Sequence, residues 1–153
     1  MPSNYQVLEI KSLNIATTLC HPDLSLLKKV SMEDPATLVM TDLLSINAAT
    51  TSASASIDDT EALMQKMHVK LLFIVDAKER IIGLITYNDI IGERPIQFQQ
   101  LNGLPRSEIC VLDIMTCIEQ IEVLDMSAVI KARVGDIVMT MQKLRRQHAL
   151  VME

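Results

Sequence analysis

The stretch Leu71-Leu72-Phe73-Ile74-Val75-Asp76, followed across four residues by Ile81-Ile82-Gly83-Leu84-Ile85-Thr86-Tyr87-Asn88-Asp89, decides the fold of this chain. Each apolar run has the length of a strand, and a continuous run, as opposed to an alternating one, suits a strand covered on both faces. Asp76 to Arg80 is a polar turn, so the two runs read as a hairpin. Gly83 inside the second run points to a close backbone approach. That run ends in Thr86-x-x-Asp89, where a short helix is expected to start and to end near Gly92. A hydroxyl and a carboxylate three residues apart at a helix start form a capping box. The same oxygens can also accept hydrogen bonds from a polyhydroxy ligand, and the residues alone leave both readings open.

Upstream, residues 48–52 form a weak strand candidate. Ser56 is placed to cap a helix with Asp58 and Asp59 in its first turn, and Ile57, Leu63, Met64 and Met67 share one face of it. Further along, Val134, Ile137, Val138, Met141 and Leu144 make a second apolar stripe at helical spacing. The two halves repeat: Val39-Met40-Thr41 recurs as Ile114-Met115-Thr116, a displacement of 75, and residues 71–76 recur as 148–153, a displacement of 77. A fixed period of this kind means two related modules. The second module follows the plan of the first as far as Glu153 and carries no second Thr-x-x-Asp.

The bulk composition narrows the function classes. With 153 residues the chain can bury a core, and with 3% aromatics and no Trp that core must be built from aliphatic residues and the 10 Met. A net charge of −5 provides no basic field for nucleic acid. The mean hydropathy is +0.26, yet no apolar run nears the ~18 residues of a membrane span, and Met1 to Tyr5 does not resemble a signal peptide. A cytoplasmic protein without membrane association is the expectation. Cys20, Cys110 and Cys117 are odd in number and lack metal-ligand spacing, so reduced thiols and no metal are expected. Lys143, Arg145, Arg146 and His148 form one basic cluster, either complementing a helix C-terminus or meeting a ligand phosphate. His68 and His148 are read as structural residues at strand starts. No nucleophile, base and oxyanion set assembles, so no catalytic residue is assigned.

The strand, helix, hairpin and Gly83 to Ile90 segment, together with its recurrence, resembles the cystathionine β-synthase (CBS) domain, which occurs in tandem pairs called Bateman modules. The resemblance implies an α/β (α+β) fold of β-α-β-β-α repeats packed through small sheets. The corresponding division is an N-terminal helical segment over 1–37, a first repeat over 38–92, a linker over 93–112 and an incomplete second repeat over 113–153. It implies a non-catalytic sensor, commonly a homodimer, that binds AMP, ATP or another adenosyl ligand between repeats and requires no cofactor. By matching position, Thr86 and Asp89 hold ribose hydroxyls, Lys70 meets phosphate, and the loop from Thr50 lines the adenine end. His148 aligns with Leu71 near the phosphate position. The chain departs from the family in Phe73, whose ring is expected to crowd the cleft, and in Asn88, which replaces an often basic residue. The alternative is a dimerising interaction module whose nucleotide site is degenerate and empty.

Overall fold

The computed structural model describes residues 29–153. The chain divides into two units, 1–30 and 31–153, and the second is the body described below. The N-terminal helical segment expected over 1–37 lies for the most part outside the described residues, as does Cys20.

The first module builds a four-stranded sheet in the order β1-β2-β3-β4. Strand β1 (Thr50–Ser52) runs parallel to β2 (Leu71–Val75), with Thr50 opposite Phe73. A parallel pair needs a crossover, and helix α1 (Ile57–Met67) supplies it. The Ser56 hydroxyl accepts from the Asp59 N–H, as a capping residue should. Ile57 and Met64 are buried, but Met67 is exposed. The buried face runs instead through Thr60, whose hydroxyl returns its hydrogen bond to the Ser56 carbonyl at 2.7 Å. The helix closes at His68, in the left-handed region at φ 55°, so this residue is a helix cap and not the start of a strand.

β2 is the inner strand that the continuous apolar run predicts: Leu72 and Ile74 are fully buried. It pairs antiparallel with β3 (Ile81–Thr86), with Leu71 opposite Thr86. The connecting turn is organised by Asp76, whose carboxylate accepts from the Lys78 and Arg80 N–H groups at 2.8 and 2.9 Å and from the Arg80 side chain. These bonds, the Arg80 N–H foremost and its guanidinium next, hold the Asp76 carboxyl below the usual carboxylate range.

Helix α2 (Tyr87–Ile91) follows β3 directly, and α3 (Glu93–Asn102) occupies the first half of what reads from sequence as linker. Pro95 lies in the first turn of α3, where its missing N–H costs no intrahelical bond, and Gly103 at φ 68° ends the helix. Helix α4 (Val111–Ile114) then delivers β4 (Thr116–Cys117), which pairs antiparallel with β3. Gly83 is required here, because a Cβ on it would lie 2.6 Å from the Thr116 carbonyl oxygen.

The second module comprises β5 (Val123–Asp125), α5 (Met126–Val129), α6 (Val134–Leu144) and β6 (Leu150–Met152), with β5 parallel to β6. The displacement of 77 holds through α6 and its left-handed cap: α1 is eleven residues capped by His68, and α6 is eleven capped by Arg145 at φ 52°. The modules also exchange their leading segments. The Ile57 N–H donates to the Ile109 carbonyl at 3.1 Å, and the Val134 N–H donates to the Asp34 carbonyl at 2.8 Å. Val111 N–H to Ala55 O (2.9 Å) is likewise mirrored by Ala36 N–H to Ala132 O (3.0 Å).

Burial breaks the symmetry. Ile109, Val111 and Ile114 join the core of the first module, where Ile85 of β3 and Ile90 of α2 complete the cover. No strand pairs with the second edge of β6 among the described residues. Matched positions differ as well: Ile114 is 4% exposed and its counterpart Val39 is 49% exposed. No residue of α6 is fully buried, whereas its counterpart α1 buries three.

Two outcomes follow from this packing. Ile57→Ala is expected to cost about 2–5 kcal/mol in urea unfolding, and its counterpart Val134→Ala clearly less, because the cavity penalty scales with how closed the site is. Equal losses would contradict the asymmetry. For Asp76, a depressed folded-state pKa means stability that is present above the unfolded value near 4 and lost as pH falls through the folded value. Asp76→Asn should therefore melt below the wild type at neutral pH, and the two melting curves should converge in acid.

Candidate functional site

A cleft of about 610 Å³ opens between the two modules. One wall comes from the hairpin and the helices behind it: Leu71 on β2, Leu84 and Thr86 on β3, Asn88 and Asp89 on α2, and Arg94 on α3. The opposing residues are Thr116, Gln120, Ile121 and Glu122 around β4, and Leu144 to His148 with Leu150 at the end of α6 and the start of β6. This arrangement follows from the exchange of leading segments, which seats β4 against β3 and so brings the second module up to the end of Thr86-x-x-Asp89.

Thr86 and Asp89 form a complete capping box. Asp89 Oδ2 accepts from the Thr86 N–H (2.8 Å) and hydroxyl (2.7 Å), and the Thr86 hydroxyl oxygen accepts from the Asp89 N–H at 3.2 Å. The other oxygen, Oδ1, faces Arg94 Nε at 3.3 Å. Asp89 is 15% exposed and Arg94 46% exposed. Arg94 is anchored at its far end, where Nη1 donates to the Ile114 carbonyl at 2.7 Å and the Thr116 hydroxyl at 3.2 Å. A carboxylate offers about four lone-pair positions, so three donors leave room for one more, and the Thr86 oxygen also keeps a lone pair. Capping and ligand contact are thus compatible on the same atoms.

The rest of the polar lining sets Arg145, Arg146 and His148 beside the neutral Asn88, Thr116, Gln120 and Gln147 and the acidic Glu122. Arg145 and Arg146 follow α6, and Arg146 reaches Glu122 at 3.3 Å. Arg145 takes the left-handed backbone at the helix cap, and among the described residues it is the one arginine without a carboxylate partner within ion-pair distance. Asn88 Nδ2 donates to Gln147 Oε1 at 2.8 Å, a direct link between the modules at the cleft edge.

Of the residues selected from sequence, Thr86, Asp89, Leu71 and His148 line this cleft together. Thr50 and Lys70 are not among its lining residues. Thr50 is exposed on β1, and the Lys70 ammonium lies 3.8 Å from the centre of the Tyr87 ring, a cation–π contact. Phe73 is buried in the sheet and is also absent from the lining, so its ring does not crowd the cleft. Sequence reasoning missed Arg94, because residues 93–102 pass for linker. The pattern of Pro95 in a first turn and Gly103 just past the end would have marked the helix that carries it.

No three His, Cys, Asp or Glu side chains are grouped to hold a metal ion among the described residues, Cys110 and Cys117 are free thiols, and no helix there is long and apolar enough to cross a membrane.

Residues 39–95 match the CBS domain family model. No curated protein matches the sequence. Among solved structures, the chain is similar to an uncharacterized conserved protein from Pyrococcus horikoshii, at 23% identity and TM-score 0.57, over 81% of this chain and 82% of that one. It is similar to a protein with CBS domains from Burkholderia ambifaria, at 18% identity and TM-score 0.57, over 78% and 79% of the two chains. A CBS-domain containing protein from Agrobacterium tumefaciens matches at 16% identity and TM-score 0.53, over 70% and 76%. Residues 39–95 are therefore a CBS domain, and the chain has the fold of a CBS-domain pair.

Proposed function

We propose that this protein is a non-catalytic regulatory module that binds an adenosine-containing small molecule in the cleft between its two modules. The observation that carries this reading is the meeting of Thr86 and Asp89 with Arg145, Arg146 and His148 on one cleft. A ribose hydroxyl donating to the remaining lone pairs of Thr86 and Asp89 would place the rest of the ligand among groups that complement an anion. The apolar Leu71, Leu84 and Leu150 offer a surface for a flat ring. The CBS fold supports this reading, since the domain pair resembles regulatory sensors of adenosyl ligands. Binding in such a cleft would regulate by bridging the modules, because its walls belong to both.

A second reading, a dimerising interaction module with an empty site, is favoured by the apolar surface the fold leaves open, with Leu44 at 91% and Met139 at 64% exposure. The two differ in what they need: the first requires a ligand and the second a second copy.

Calorimetric titration with AMP, ATP and S-adenosylmethionine tests the first reading, and saturable heat with at least one is expected. Asp89→Asn should weaken that binding by about 10- to 100-fold, the worth of a hydrogen bond to a charged group. Absence of heat with all three would sink the sensor reading, and a monomer in sedimentation at micromolar concentration would sink the dimer reading.

A further inference from the structure

Arg94 stands where a neutral ligand would be at a disadvantage. Its Nε lies 3.3 Å from Asp89 Oδ1, the one carboxylate oxygen that the Thr86 capping bonds leave available, and its Nη1 is held by Ile114 and Thr116 on the far side. A ribose hydroxyl approaching Asp89 must share that oxygen with the guanidinium or take its place. A hydroxyl is a neutral donor and replaces a charge-assisted bond poorly. Loosening Arg94 from Asp89 is offset only if the ligand brings an anion to receive the guanidinium. The charge balance of the cleft points the same way. Three arginines (Arg94, Arg145, Arg146) line it against two carboxylates (Asp89, Glu122), and each carboxylate already has one arginine, leaving Arg145 unpaired among the described residues. The formal excess of one positive charge sits in a protein whose net charge is −5.

We infer that Arg94 sets the ligand class of the cleft: it selects a nucleoside phosphate over the bare nucleoside by competing with a ribose hydroxyl for the Asp89 oxygen they share until a phosphate draws it away. The inference rests on the adenosyl-binding reading above and adds a specificity-determining residue to it. Arg94 also bonds to the Ile114 carbonyl and the Thr116 hydroxyl, so a phosphate that engages it is registered at the entry to the second module.

The test compares AMP, adenosine and inorganic phosphate on the wild type, Arg94→Gln and Arg94→Lys by calorimetry at fixed ionic strength. The wild type should bind AMP at least ~10-fold more tightly than adenosine, the scale of one charge-assisted hydrogen bond. Arg94→Gln should reduce that ratio by ~10-fold or more, with adenosine binding as well as or better than before, and Arg94→Lys should restore part of the ratio. In the wild type, which needs no variant to fold, added salt should weaken AMP binding and leave adenosine binding nearly unchanged. An unchanged ratio in Arg94→Gln, adenosine as tight as AMP in the wild type, or inorganic phosphate as tight as AMP would each overturn the inference while leaving a binding cleft in place. Binding of none of the three to the wild type would overturn the sensor reading and the inference with it.

Discussion

The reciprocal hydrogen bonds between each module's leading segment and the other module's helix start are the constraint on which the rest depends. Ile57 N–H to Ile109 O and Val134 N–H to Asp34 O satisfy backbone groups that a helix start cannot satisfy internally. Because each module caps the other, neither can move far without exposing those groups. The exchange also carries Ile109, Val111 and Ile114 into the first core and sets β4 beside β3. The cleft is a by-product of this geometry, since it forms where the end of β3 and the end of α6 are brought to face the same β4 segment.

Polar groups at the cleft do double service. The Thr86–Asp89 pair caps α2 and presents acceptors toward the cleft, and Arg94 both neutralises Asp89 and ties α3 to the start of the second module. Such a preformed network costs little reorganisation when a ligand supplies matching groups, and penalises a ligand that does not. The apolar half of the second module contrasts with this order. Its helix α6 keeps the stripe of α1, yet among the described residues Val134, Ile137 and Met141 are only partly buried where their counterparts Ile57, Thr60 and Met64 are sealed.

Much of this was legible in residue order. Ser56 and Thr86 announce helix starts because capping is a contact over three residues. The runs 71–75 and 81–86 announce buried strands because covering both faces removes the alternation. Strands β4 and β5, of two and three residues, have no period to detect, and only the partner strand gives them their conformation. The same limit explains Arg94, Arg145 and Arg146. Their types are plain in the sequence, but which carboxylate or cleft each meets depends on how the modules dock.

By itself the sequence determined that the chain repeats, that the repeat contains a hairpin of buried strands, and that a Thr-x-x-Asp closes that hairpin, because these rest on local periodicity and on contacts a few residues apart. Only the tertiary structure decided which of the candidate residues share a cleft: Thr86, Asp89, Leu71 and His148 do, and Thr50 and Lys70 are not among its lining. It alone placed a guanidinium on Asp89. The physical reason is that such meetings are set by the docking of two modules through backbone hydrogen bonds between residues about fifty to a hundred positions apart, a separation over which no local pattern in the chain carries information.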